Sequence, residues 1–222
     1  MKIADNILRH YLRNCYFING TAYAGKSTMC RMLSERFDML HCEENYTLGT
    51  VRAVADAKLQ PNCSYMNLMP SWEHFVLRPP DAYEAWVDGN GEELAEFEIA
   101  ELIRVSADRK VIVDTCIPCD MLKRIAAPDH VAIMLSPPEM AVERFFDRAD
   151  PEKQFLLRVI ENCPDPEAAL HNFRACIARV NSPERYEMFK NSGFFFVERK
   201  FDGCDTREET FEILAKHFGL KK

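Results

Sequence analysis

The chain has 222 residues, 47% of them hydrophobic, and a net charge of −7. That length suits one domain of generous size with a full core, and an acidic balance excludes general binding to a nucleic-acid backbone, which needs a basic face. No run approaches the ~20 apolar residues of a membrane span. Residues 1–13 mix Lys2, Asp5, Arg9 and Arg13 with apolar side chains and lack the apolar block of a signal peptide, which predicts a cytoplasmic protein. Nine cysteines are scattered along the chain, the pattern of reduced and mostly buried thiols. Cys116 and Cys119 have redox or zinc spacing, a weak signal without a second pair.

In chain order, residues 1–14 carry Ile3, Ile7, Leu8 and Leu12 among charges, which predicts a short amphipathic helix. Cys15 to Ile18 is a buried strand running into Asn19-Gly20, and Ser27 to Phe37 a helix with Met29, Met32, Leu33 and Phe37 on its apolar side. Residues 39–42 form a second strand. From about 44 to 107 the texture is that of a mostly helical insert. Its patterns at Thr50–Lys58 and Glu92–Val105 are separated by proline-containing loops and by Asp88-Gly89-Asn90-Gly91. Trp72, Phe75, Tyr83 and Trp86 fit core packing of that insert better than a substrate pocket. Val111–Asp114 is a third strand and Val131–Leu135 a fourth, and a helical region from about Glu139 to Ile160 breaks near Asp150-Pro151. Helix between Pro166 and Val180, a fifth strand at Phe194–Val197 and a last helix opened by a Thr206/Glu209 capping box complete the chain. Short apolar strands alternating with helices predict an α/β fold with a parallel sheet covered on both faces.

One motif dominates. Gly20-Thr21-Ala22-Tyr23-Ala24-Gly25-Lys26-Ser27 matches G-x-x-x-x-G-K-[ST] between a strand and a helix. Glycines let a backbone curl so that its amides face phosphate oxygens, and the helix that follows adds its positive end. In that arrangement Gly20, Ala22, Tyr23, Ala24, Gly25, Lys26, Ser27 and Thr28 form the nucleotide cradle. Lys26 reaches the β- and γ-phosphates and the Ser27 hydroxyl holds magnesium. Asp114, at the carboxyl end of a buried strand, suits a water-mediated magnesium contact.

With these segments the chain resembles the adenylate kinase and shikimate kinase group of P-loop kinases. The resemblance implies a three-layer P-loop NTPase fold with a five-stranded parallel sheet in order 2-3-1-4-5. It also implies an acceptor-binding insert at about 44–107 and a lid at about 144–165. Residues 142–148 look like that group's lid-proximal helix, which implies that Arg144 lies over the nucleotide base and Arg148 contacts phosphates. Thr50-Val51-Arg52-Ala53-Val54 resembles the helix that supplies an acceptor contact, here Arg52. Glu43 and Glu44, ending the second strand, are candidates to orient or deprotonate an acceptor hydroxyl. Two departures stand out. Tyr23 fills a position where the group usually has glycine, and Thr115–Cys119 lacks the arginine of the group's Gly-Phe-Pro-Arg turn.

The expectation is an ATP- and Mg2+-dependent phosphotransferase with a small-molecule acceptor: a nucleoside, nucleotide or hydroxylated metabolite. Lys26, Asp114, Arg148 and Glu43 are its catalytic candidates. The alternatives are a non-catalytic nucleotide-binding module and a redox or zinc protein built on Cys116 and Cys119. No Asn-Lys-x-Asp sequence supports a GTPase.

Overall fold

The computed structural model describes residues 3–147, 151–199 and 204–221. In chain order the elements are α1 (Asp5–Tyr11), β1 (Cys15–Gly20), α2 (Lys26–Phe37), β2 (Leu40–Cys42), α3 (Leu48–Val54), α4 (Pro61–Leu68), α5 (Trp72–Val76), α6 (Pro80–Val105), β3 (Val111–Asp114), α7 (Cys119–Ile125), β4 (Val131–Leu135), α8 (Pro138–Glu143), α9 (Pro151–Glu161), α10 (Pro166–Val180), α11 (Pro183–Lys190), β5 (Phe195–Glu198) and α12 (Arg207–His217). The strands form one all-parallel sheet in order β2-β3-β1-β4-β5.

Alternation along the strands builds two cores, because successive side chains leave a strand on opposite faces. Cys15, Phe17, Val111, Val113, Val131, Ile133 and Leu135 face α1, α6 and α7. Tyr16, Ile18, Ile112, Ala132 and Met134 face α2 and α12. Continuous apolar runs are what a sheet covered on both sides requires. The register pairs Ile18 with Asp114 and Gly20 with Met134, so the carboxyl ends of β1, β3 and β4 meet at one edge. In open α/β sheets that edge is where ligands bind.

A third core stands off the sheet, where Phe75, Val76 and Tyr83 pack with Ile160, Ala169, Phe173 and Ile177. Its aromatic rings touch edge to face, as Phe75 does with Trp86 at 5.3 Å between centroids and Tyr83 with Phe173 at 5.7 Å. Trp72, Phe75, Tyr83 and Trp86 all belong to this packing. Helix α6 links it to the sheet, since 26 residues at 1.5 Å each make a rod of about 39 Å.

Several boundaries differ from the sequence pattern. Helix α6 runs straight through Asp88-Gly89-Asn90-Gly91. A Cβ at Gly89 would overlap the Asn62 side-chain amide, so this glycine permits close approach of α4 rather than a turn. The α6 carboxylate of Glu93 accepts from the Asn62 and Cys63 amides at 3.2 and 2.8 Å, capping α4 from across the interface. Helix α3 stops at Val54, and the Asp56 carboxylate closes the following turn by accepting from Lys58 N at 2.8 Å. Helix α8 ends at Glu143, before the break placed near Asp150-Pro151, and the adjacent Phe145 and Phe146 both pack on the third core. At α12 the Thr206 side chain makes no cap, and Asp205 instead accepts from Arg207 N at 3.1 Å. Helices α7 and α11 have no counterpart in the sequence pattern.

Among the described residues no helix is long and apolar enough to cross a membrane.

Candidate functional site

The segment between β1 and α2 curls through three positive φ values: +131° at Gly20, +67° at Tyr23 and +92° at Gly25. Gly20 has no substitute, because a Cβ there would overlap the Met134 carbonyl of β4. Tyr23 holds a left-handed conformation that costs a non-glycine residue about 1–2 kcal/mol. The position where the kinase group favours glycine is thus one that a tyrosine must fill under strain. Arg199 braces it, its Nη1 donating to Tyr23 O at 2.8 Å and its guanidinium lying 5.4 Å from the ring centre.

Buried polar groups hold the curl. Asn19 Oδ1 accepts from Gly20 N at 2.6 Å while its Nδ2 donates to Ile117 O at 2.7 Å. Thr21 N donates to Met134 O at 3.0 Å, and the Thr21 hydroxyl accepts from Ser136 N at 2.8 Å. Ser136 Oγ donates to Ala22 O at 2.7 Å, and Asn181 Oδ1 accepts from Ala22 N at 3.3 Å. Residues just past β3, β4 and α10 therefore shape a loop whose own sequence supplies few anchors.

The first amides of an α-helix lack intrahelical acceptors. At α2 the first helical bond from the loop side runs from Met29 N to Gly25 O at 3.1 Å, which leaves the amides of residues 26–28 at the helix mouth. Lys26 Nζ folds back over the curl to donate to Thr21 O at 3.1 Å. Ser27 Oγ donates to Asp114 Oδ2 at 2.6 Å. Asp114 is buried, and burial raises its carboxyl pKa against the opposing pull of Lys26 and the Ser27 hydrogen bond.

A cleft of about 2040 Å3 opens from this loop. Residues 20–28, Glu44 and Asp114 line it, so the structure brings these predicted residues together. The others lie apart from it. Glu43 is exposed at 4.0 Å from His41 Nδ1 and, unlike its neighbour Glu44, does not line the cleft. Arg52 is exposed on α3. Arg144 follows the end of α8 as its cap, is exposed, and pairs with Asp147 at 3.5 Å. Arg148 lies outside the described residues.

The sequence pattern overlooks Glu98. This residue lines the cleft from α6 while only 5% exposed, and Thr115 Oγ1 donates to its Oε2 at 2.7 Å. The Cys116 thiol approaches its Oε1 at 3.8 Å. Burial first, then the nearby Asp114 and Glu44 charges, push its pKa up to about 7 against these hydrogen bonds. A signal exists, because Glu98 falls on the Ala95–Leu102 stripe, a lone carboxyl at buried helical spacing. Asn181 and Ser136 carry no such local signal.

Cys116 and Cys119 are free thiols. Partial burial raises the Cys119 thiol to about 11, which holds it protonated and poorly nucleophilic, whereas Cys116 is exposed. Among the described residues no cluster of three metal-ligating side chains occurs.

No protein-family model matches the chain, and comparison with curated proteins finds no match.

Proposed function

We propose that the protein is a P-loop phosphotransferase of the adenylate and shikimate kinase type, moving the terminal phosphoryl group of ATP to a small-molecule acceptor. The observation that carries this reading is the curl at residues 20–27, with Lys26 folded over it and Ser27 hydrogen-bonded to Asp114. It sits at the carboxyl edge of the central strand, where the fold favours a ligand.

The residues fit the groups the reaction needs. Amides at the mouth of α2, reinforced by its dipole, suit phosphate oxygens, and Lys26 adds a point charge beside them. A hydroxyl and a carboxylate at 2.6 Å, both oxygen donors, suit magnesium, which takes few protein ligands and fills its shell with phosphate and water. Ser27 and Asp114 would hold that ion, which neutralises charge on the transferred group. The chain's own part is electrostatic: Lys26 and the oriented amides stabilise the charge that spreads over the phosphoryl oxygens. The cleft, walled by α6 and α10, presents the acceptor and limits water.

Lys26→Ala is expected to abolish acceptor-dependent ATP turnover with an unchanged circular-dichroism spectrum. Asp114→Asn is expected to raise the magnesium concentration for half-maximal rate about tenfold or more. ATP consumption measured against pooled nucleosides, nucleoside monophosphates and hydroxylated metabolites checks both. Full activity in the lysine variant would remove the mechanism, whereas tight nucleotide binding without turnover on any acceptor would favour a regulatory module.

A further inference from the structure

The wall of the cleft formed by α6 and the segments after β2 and β3 has a charge problem. Glu44, Glu92 and Glu98 all line the cleft, and among the described residues none of the three forms an ion pair. Of the cations that line the cleft, Lys26 bonds the Thr21 carbonyl, Arg199 bonds the Tyr23 carbonyl, Lys153 lies over the Phe145 ring, and the other three are in ion pairs. Arg179 binds Glu84 at 2.6 Å, Arg185 binds Asp88 at 2.6 Å, and Lys123 binds Asp120 at 3.3 Å. The turn at 115–119 contributes no arginine, and Arg52 stays outside the cleft.

Glu98 is the most constrained of the three. Its Oε2 accepts a full hydrogen bond from Thr115, whereas Oε1 has only a sulfur contact at 3.8 Å. A carboxylate oxygen accepts about two hydrogen bonds, so Oε1 retains capacity on a side chain that lines the cleft. A phosphorylated acceptor would place further negative charge against these carboxyls, while Lys123, Arg179 and Arg185 are held in ion pairs and Lys26 serves the nucleotide phosphates in the proposed reading. An ammonium group would supply both the missing charge and up to three donors.

We propose that the acceptor is a hydroxyl compound bearing a protonated amine, and that Glu98 is the carboxyl that recognises the amine. This rests on the phosphotransferase reading, which makes the α6 side of the cleft an acceptor site. Specificity follows from the cost of burying an unpaired polar group. An N-acetylated acceptor leaves Glu98 without its charge partner, and an O-phosphorylated one meets like charge.

Calorimetry on the full chain saturated with ADP and magnesium tests it. The probes are ethanolamine, glucosamine and 2-deoxystreptamine, each with its N-acetyl and O-phosphate counterpart. At least one free amine is expected to bind ten times or more tighter than both counterparts. In Glu98→Gln, which keeps an acceptor for Thr115, that preference should fall below threefold with the ADP affinity unchanged. Should that variant fail to fold, Glu44→Gln, at an exposed position, is expected to reduce the preference as well. Absence of amine binding, equal binding of a counterpart, or a preference that survives the substitution would each overturn the proposal. ADP·Mg2+ that binds while every amine fails sinks only this inference. ADP·Mg2+ that does not bind sinks the underlying reading.

Discussion

A carboxyl placed on an apolar stripe is costly unless its oxygens find donors, and Glu98 finds one good donor and one weak one. Its pKa, near 7 in the fold against 4.5 for a free glutamate, means that the folded chain holds this proton more tightly than the unfolded one. Stability from this site is therefore complete below pH 4.5, falls as pH rises towards 7, and then levels off, for a total of roughly 3 kcal/mol. Asp114, also raised, acts in the same direction from lower pH. Urea midpoints between pH 5 and 8 should fall for the wild-type chain and fall much less for Glu98→Gln. Parallel profiles would show that the carboxyl is not desolvated as described. Tyr23 illustrates the opposite relation between residue and fold. Its left-handed backbone is imposed by the curl, and the Arg199 contacts hold it there.

At the scale of elements, α6 decides how the insert meets the sheet. Its two glycines have different reasons to be there. Gly89 gives way to Asn62, whose Nδ2 is fixed by Glu93 at 2.6 Å, whereas a Cβ at Gly91 would meet only Cys116 O at an ordinary 3.6 Å. Gly91→Ala is expected to stabilise the protein by about 0.5–1 kcal/mol through helix propensity and reduced unfolded-state freedom. Gly89→Ala should forfeit that gain by displacing Asn62, giving no stabilisation or a net loss. Thermal unfolding of the two variants side by side checks the pair, and equal stabilisation would contradict the α4–α6 packing. The same helix shows why its continuity is hard to read locally: Asp-Gly-Asn-Gly has turn chemistry, and only the tertiary contact with α4 overrides it. Helix α11, capped by Ser182 accepting from Arg185 N ahead of Pro183, is short and follows another helix closely, which hides it in the sequence. Strands β1, β3 and β4 and helix α10 are legible because their apolar spacing is set by burial on known faces.

For the whole molecule, three cores hang on one sheet, and the cleft lies where the third core faces the carboxyl edge of β1 and β3. A contiguous motif such as 20–27 can be read from the chain because neighbours in sequence stay neighbours in space. The rest of the cleft cannot, since Ser136 reaches Thr21 from 115 positions away and Asn181 reaches Ala22 from 159, while Glu98 meets Thr115 at the end of β3 from a different element. Arg144 shows the hazard of extending a helical pattern: α8 ends at Glu143, and Phe145 and Phe146 beyond it pack on the third core. The central claim concerns main-chain amides, so the most direct test is a crystal structure of the full chain grown with magnesium and a non-hydrolysable ATP analogue. The account predicts β- and γ-phosphates within hydrogen-bonding distance of the amides of residues 24–27, with Lys26 Nζ moved from Thr21 O to phosphate and a metal ion beside Ser27. A nucleotide bound elsewhere, or a curl left empty at saturating analogue with Lys26 still on Thr21, would contradict it.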